Sequence, residues 1–517
     1  MSCCSDVPAT CPVPPVAIID AVSSPNVRPA EGRTGPRRVA VVGGGVSGLA
    51  AAFLLKDAGL AVTVLEGSPR LGGKLAVSEV AGVQVDAGAE ALLARRPEGI
   101  SLIGAAGLAD DLVLPGTTTA GIWTRGSIRS LPRRQFMGVP ADLGELAATG
   151  ILSAAGLDRA SQDLTLPGPA QSGDQSVTSR VAGRFGAEVV DRLVEPLLGG
   201  VYAGRCEDLS FDATLPALAD AAQGRSSLAE AAASLLPAAD TESITASEQT
   251  PRPVFMTLAG GLGSLPAALA AGSGAQVRTS ATVREISRTP EGWLLTVGSA
   301  HAPEPVAADA VIIAVPAWPA SRLLAQIAGG EAAAAGLAEF KYASMAIVTL
   351  AFPATAFPQE PAGSGFLVPA VDGRAVKAVT FSTVKWPHLR QSTNGMHIVR
   401  CSVGRLGEEE VLQRDDSDLA ALAVADLASA TGVRGGPADV RVTRWGGGLP
   451  QYSVGHLDRI ARIRAGVASL PGVAVCGAAY DGVGVPACIA SAQLAVDQVL
   501  AYLEATSAVA AGGKERH

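Results

Sequence analysis

Aromatic residues make up only 4% of this 517-residue chain and charged residues only 17%. Basic residues do not predominate either: 40 Lys and Arg stand against 48 Asp and Glu, a net charge of −8. Binding a phosphate backbone needs a basic face, so this balance argues against a nucleic-acid partner. It leaves room for a small anionic substrate, since a local basic pocket can sit on an acidic protein. Paired cysteines are lacking as well. The count is seven, with Cys3, Cys4 and Cys11 in the leader and Cys206, Cys401, Cys476 and Cys488 scattered. That spacing makes neither a disulfide framework nor a metal site, and it suits a reducing cytoplasm. No secretory pattern is seen: residues 1–36 are rich in Pro, Ser and small residues and read as a disordered leader. Val39–Leu55 is uncharged for 17 residues, just short of a membrane span, and four glycines split it, so no integral membrane segment is expected.

A chain of this length builds its own core, and domain sizes of about 100–200 residues point to roughly three lobes. The core begins at Arg37-Arg38. Val39–Val42 reads as a short buried strand, Gly43 to Gly48 as a turn, Leu49–Ala58 as a helix ended by Gly59, and Ala61–Glu66 as a second strand. Residues 75–86 and 121–131 read as hairpins and 97–108 as a helix, whereas 132–176 and 221–253 are expected to be loose or linking. Val189, Val190, Leu193, Val194, Leu197 and Leu198 fall on one face of an amphipathic helix. Strand-like runs recur at 277–279, 282–288, 293–297 and 310–315, and a β-rich block spans about 343–404. The chain closes with a strand at 473–476, a glycine-rich turn at 477–485 and a helix from about Cys488 to Leu503.

The strand–turn–helix at 39–58 carries G-x-G-x-x-G, a weak pattern alone but specific in this β–α–β setting. Gly43 permits the tight turn, Gly45 leaves room for a pyrophosphate, and Gly48 lets the helix pack close to the strand. Gly44 and Ser47 lie in the same loop, and the free N–H groups of the helix favour phosphate charge. Glu66, 23 residues after Gly43, ends the next strand, where a carboxylate accepts from ribose hydroxyls. Arg70-Leu71-Gly72-Gly73-Lys74 follows. The Gly72-Gly73 pair and the late strand–glycine–helix at 473–492 favour FAD over NAD.

These residues carry a resemblance. Residues 39–74 resemble the FAD-binding front of the monoamine oxidase, phytoene desaturase and protoporphyrinogen oxidase superfamily. VVDRLVEPLLGGVYAGRCEDLS (189–210), GFLVPAVDGRAVKAVTFSTVKWPH (365–388), PQYSVGHLDRIARI (450–463) and GAAYDGVGVPACIASA (477–492) are similar to blocks of the bacterial, Gram-positive and actinobacterial type of protoporphyrinogen/coproporphyrinogen oxidase. The fold this implies is α/β: a doubly wound, Rossmann-type FAD-binding domain (37–97, 271–330 and 441–505), a β-sheet substrate domain (331–440, with 201–270 as a linking segment) and an inserted helical domain (98–200), with a tail at 506–517. The resemblance places Gly43, Gly44, Gly45, Ser47, Gly48 and Glu66 against FAD, followed by Arg70, Gly72, Gly73 and Lys74. It adds Val283 at the adenine end, Trp445 near the flavin, and Gly477, Gly482, Val483 and Gly484 in a closing loop. Two departures stand out. The usual D-x-G-P reads Asp86-Ala87-Gly88-Ala89, and Glu90 stands where mitochondrial relatives carry an arginine.

The implied activity is six-electron oxidation of coproporphyrinogen III to coproporphyrin III in haem biosynthesis, with oxygen as acceptor and hydrogen peroxide released. Protoporphyrinogen IX oxidation, another flavin amine oxidase or desaturase activity, and a non-catalytic porphyrin-binding flavoprotein stay open, as does a transient contact with ferrochelatase. The chemistry is expected to centre on the flavin, with no dedicated catalytic side chain and no metal. An apolar pocket with cations at its rim would suit such a substrate. Leu197, Gly200 and Tyr202 are its candidate lining, and Arg95, Arg96, Lys341, Lys377, Lys385 and Arg400 its candidate cations. His456 is expected to hold structure by a hydrogen bond, and Cys476 and Cys488 to act as small buried hydrophobes.

Overall fold

The computed structural model describes residues 35–168, 173–237 and 254–512. The expectations for residues 1–34, including Cys3, Cys4 and Cys11, and for most of the linker, 238–253, lie outside the described residues.

Five short parallel strands form the central sheet in the spatial order Gln276–Arg278, Ala61–Leu65, Arg38–Val42, Ala310–Ile313 and Val473–Val475. Strand side chains alternate between faces, and both faces of this sheet are covered, so its strands are apolar throughout. Val39, Val41, Val64 and Ile312 pack on the helices Val46–Leu54, Leu265–Gly272 and Val485–Gly512. Ala40, Val42, Val311 and Ile313 face the antiparallel strands Val283–Thr289, Gly292–Ser299 and Ala302–Ala308, and the helices Ala317–Leu324, Glu331–Ala338 and His456–Ala468. The helix that begins at Val485 is long and apolar enough to cross a membrane by composition. Its Ile489, Ala492, Val496 and Val499 are buried in the core of this sheet, which is how a core helix behaves.

A second sheet of seven strands runs in the order Asp439–Pro450, Tyr342–Pro353, Met396–Val403, Val376–Phe381, Gly365–Leu367, Gly121–Thr124 and Ser127–Ser130. Val348, Leu350, Val379, Phe381, Val399 and Cys401 pack on one side against the helix Asp416–Thr431. The intervening residues Ile347, Ala378, Thr380, Arg400 and Ser402 face a cavity on the other side.

The third lobe is helical, with Phe185, Leu193, Val194 and Phe211 at its centre. It corrects two expectations. The stretch 132–176 contains the helices Leu143–Thr149 and Ala154–Ser161, capped by the side chains of Asp142 and Ser153. The segment after 221 contains the helix Leu228–Ser234, capped by Ser227. Each cap side chain accepts from an N–H that the first turn would otherwise leave unpaired. The helix expected over 189–198 is also interrupted, by a π-helical turn at Val190–Val194 just before Pro196. Proline has no N–H for the carbonyl four residues back, and the widened turn absorbs that defect. Asp163 ties the lobe together. Wholly buried, it accepts from Arg184 Nε at 2.6 Å, Ser227 Oγ at 2.6 Å and the amides of Leu228 and Ala229 at 3.1 and 2.9 Å.

Candidate active site

One cavity of about 1030 Å³ runs from the glycine turn at the end of Val42 to the inner face of the seven-stranded sheet. Gly43, Gly45 and Gly48, the three glycines of the G-x-G-x-x-G pattern, behave differently, and the difference is geometric. A Cβ on Gly43, which has φ +110°, would lie 2.7 Å from the carbonyl oxygen of Ala314, and one on Gly48 would lie 1.9 Å from that of Gly43. A Cβ on Gly45 would meet nothing within 4 Å, because it would project into open space. Two glycines therefore serve close packing and one leaves room for a ligand. Glu66 Oε2 accepts from Gly44 N at 2.6 Å and Oε1 from Ser68 N at 2.7 Å, which fixes the carboxylate at the cavity wall. Gly72 N donates to Gly44 O at 2.8 Å and lays the second glycine pair beside the first. Ser47, Gly73, Lys74 and Val283 also line the space. Arg70 stands behind it, donating to Gly73 O at 2.7 Å with its guanidinium 5.7 Å from the Trp445 ring. Burial lowers the Lys74 ammonium from its usual range, against the Cys488 thiol, which itself is pushed up to about 11 by burial.

The far end is closed by the loop Gly477–Gly484 and the start of the helix Val485–Gly512. Gly477, Val483 and Gly484 line the cavity. Gly482 does not, but its N–H donates to Tyr452 Oη at 2.7 Å, while Tyr452 donates to Ala478 O at 2.8 Å. One phenol thus spans the loop. His456 stacks on the Tyr452 ring and has Nε2 3.1 Å from Tyr480 O, and burial pushes its pKa down to about 4, so the ring is neutral. Trp445 Nε1 donates to Ala87 O at 3.0 Å and presents the indole to the cavity. Cys476 and Cys488 are buried free thiols.

The wall nearest the seven-stranded sheet holds Glu90, Lys385 and Arg400. Lys385 Nζ lies 2.6 Å from Glu90 Oε1, Arg400 pairs with Glu90 Oε2, and Arg400 Nη2 donates to Gly88 O at 2.6 Å. Burial would raise the Glu90 carboxyl, but the two cations pull it down to about 2. Neighbouring Asp86 shows the opposite balance. Burial raises it to about 6, against backbone donation from Gly263 and Leu262 at 2.8 and 3.0 Å.

Several candidate residues are placed elsewhere than expected. Among the substrate-pocket candidates, Gly200 and Arg400 line the cavity. Leu197 does not, and Tyr202 is packed 5.4 Å from the Tyr452 ring within the helical core. Arg95 is exposed over Phe136, and Arg96 is paired with Glu98 at 2.7 Å. Lys341 is exposed. Lys377 is buried outside the cavity at a bulge in its strand, where burial lowers it to about 7. Lys385 and Arg400 are engaged by Glu90. For Arg95, Arg96, Lys341 and Lys385 the reason is common: a cation satisfied by a carboxylate or by water has no cause to turn into an apolar space. Tyr452 and Asp86 were missed as site residues, and Glu90 was noted only as a departure.

An open glycine, a carboxylate at the end of the second strand and a cavity long enough for an extended dinucleotide fit FAD, and they define the class: a flavin-dependent oxidoreductase. Residues 46–500 match the family of flavin containing amine oxidoreductases, and the chain belongs to that family. It is 37% identical over 476 residues to a coproporphyrinogen III oxidase of Mycobacterium tuberculosis, covering 91% of this chain and 99% of the relative. It is 32% identical over 477 residues to the coproporphyrinogen III oxidase of Bacillus subtilis, again covering 91% and 99%. A crystal structure provisionally named a protoporphyrinogen oxidase, from Exiguobacterium sp. 255-15, superposes with a TM-score of 0.77 at 31% identity, covering 90% of this chain and 98% of that one.

Proposed function

We propose that this enzyme oxidises coproporphyrinogen III to coproporphyrin III in haem biosynthesis. The observation that carries the reading is the single cavity shared by the dinucleotide cradle and the inner face of the seven-stranded sheet, in a chain with relatives of that name at 32–37% identity. Gly43, Gly44, Gly45, Ser47, Gly48 and Glu66 would hold the nucleotide half of FAD, supported by Arg70, Gly72, Gly73, Lys74 and Val283. Trp445, Gly477, Gly482, Val483 and Gly484 would enclose the ring half. When bound, FAD takes up two electrons per cycle as hydride, so three cycles give the six-electron product. The chain's part is positioning and exclusion of water. Met345, Ile347, Ala378 and Leu449 offer an apolar wall to the macrocycle, and Gly200 and Val201 border it from the helical lobe. Molecular oxygen is the acceptor in this reading and hydrogen peroxide the second product. The cytoplasm is the site of action, and a transient contact with ferrochelatase belongs to the same proposal.

The test is to mix the FAD-loaded protein in air with coproporphyrinogen III and, separately, with protoporphyrinogen IX, and to follow porphyrin fluorescence and peroxide. Faster appearance of coproporphyrin supports the reading. Faster appearance of protoporphyrin moves the substrate to its dicarboxylate counterpart, and oxidation of neither overturns it.

A further inference from the structure

Behind the Glu90–Arg400 wall lies a second, smaller chamber. Glu90 and Arg400 line both spaces, and Asp86, Thr257, Ser382, Trp386 and His388 line only the small one. It has about 20 Å³ of room for the centre of a water molecule. A water needs roughly 10–15 Å³ measured in this way, and two to four polar partners. The partners are there: Arg400 Nε, Ser382 Oγ, Thr257 Oγ1 and Trp386 Nε1 are all buried with no hydrogen-bond partner among the described residues. Their residues are 7%, 2%, 2% and 2% exposed. Buried polar groups are otherwise nearly always paired, so four around one water-sized space is not a chance arrangement. Arg400 spends its two terminal nitrogens on Glu90 and Gly88, which leaves Nε for the chamber. Asp86 accepts two backbone N–H bonds and keeps lone pairs free.

We propose that this chamber is a site for one ordered water, and that the water joins Asp86 to the Glu90–Arg400 wall as the route by which protons leave the main cavity toward His388. The route rests on the oxidation proposed above. In each cycle a bridge C–H bond breaks with both its electrons, which leave as hydride to FAD. In two of the cycles a pyrrole N–H breaks with its electrons kept on nitrogen, and in the third the C–H of the remaining bridge breaks with its electrons kept in the ring, so one proton must depart in each cycle. Three cycles release three protons in the cavity that Glu90 and Arg400 line. Glu90, which borders both spaces, takes the proton briefly and passes it through the water to Asp86. Glu90 itself is held ionised by Lys385 and Arg400 and is too weak a base to keep the proton. Asp86 faces Glu90, Arg400 and the amides of Leu262 and Gly263, with Lys385 beyond Glu90 and His388 across the chamber. Burial brings Asp86 to about 6, where a carboxyl both takes and gives a proton at working pH. His388 is half-buried at the outer end.

The experiment uses the FAD-loaded enzyme and has two arms. In a crystal structure of the holoenzyme, a water is expected within about 3.2 Å of Arg400 Nε and of two of the three neighbouring side-chain atoms; a dry chamber overturns the site whatever the substrate proves to be. In the kinetic arm, Asp86→Asn is expected to retain FAD and the KM for coproporphyrinogen III. Its kcat should fall at least about tenfold, and the ionisation near pH 6 should vanish from the kcat profile. The double variant Thr257→Val, Ser382→Ala, which keeps Asp86, should lower kcat in the same direction and raise the solvent deuterium isotope effect. Unchanged kcat and pH profiles in these variants overturn the relay. A wild-type enzyme inactive on both porphyrinogens overturns the functional reading instead, and the crystallographic arm still decides the water site.

Discussion

The imidazole of His456 lies flat on the phenol of Tyr452, with ring centroids 3.8 Å apart and planes 14° from parallel. Tyr452 in turn holds both limbs of the closing loop through its hydroxyl. Tyr452→Phe keeps the stacking and deletes both bonds, leaving Gly482 N–H unpaired. A lost hydrogen bond costs about 0.5–1.5 kcal/mol, so FAD affinity should weaken by about tenfold. Flavin fluorescence after dilution of the holoenzyme measures this, and an unchanged affinity would show that the loop is held by other means.

The buried His456 also sets an acid limit. Its folded pKa of about 4 is below the ordinary 6.5, so the stability it contributes is fully present above 6.5 and is lost as pH falls through 4. Between pH 7 and 5 that loss amounts to about 2 kcal/mol. His456→Phe removes the titrating group and keeps a ring, so urea unfolding at pH 7 and 5 should differ less in the variant than in the parent. Equal slopes would assign the acid sensitivity elsewhere.

Two glycines three residues apart should fail in different ways. Gly48→Ala places a methyl 1.9 Å from the Gly43 carbonyl oxygen and should prevent stable folding of the nucleotide domain. Gly45→Ala meets nothing in the protein, so the variant should fold with a melting temperature near that of the parent apoprotein. It should bind FAD at least about tenfold more weakly, because the methyl occupies the approach to the pyrophosphate. Bound flavin absorbance together with thermal unfolding separates the two.

In the helical lobe, Asp163→Asn leaves Arg184 buried without its counter-charge. Breaking a buried pair on one side costs about 3–5 kcal/mol. The loss should be local. Hydrogen exchange should accelerate in Val177–Phe185 and Leu228–Ser234, while the yellow colour of the bound FAD persists. A global loss of flavin would refute this separation of lobes.

What could be read from the sequence follows from the range of the forces involved. The turn at 43–48 was legible because its three requirements act within six residues, and the structure places Glu66 at the same wall. The helices at 143–149 and 228–234 were equally local. Asp142 with Glu145 and Ser227 with Glu230 are helix-start pairs, overlooked because the surrounding Ala, Gly and Ser suggested loop. The Glu90 cluster was beyond reach. Its partners Lys385 and Arg400 lie 295 and 310 positions away, and no periodicity within either segment announces the pairing. For the same reason the cations could be named but not aimed. Alternation along the strand Met396–Val403 turns Arg400 to the cavity face, yet nothing in that segment announces the carboxylate waiting there.

The order in which the central sheet is assembled has a consequence for synthesis of the protein. Its strand Val473–Val475 pairs with Ala310–Ile313, and the loop that closes the cavity follows at once. A chain emerging from the ribosome carries the glycine turn from the outset but lacks this lid until nearly all of the protein has been made. Contacts of such sequence separation form late. Tight capture of FAD is therefore a post-translational event. Through most of elongation the half-built pocket stands open, and its enclosure waits on the carboxy-terminal strand and the loop that follows it.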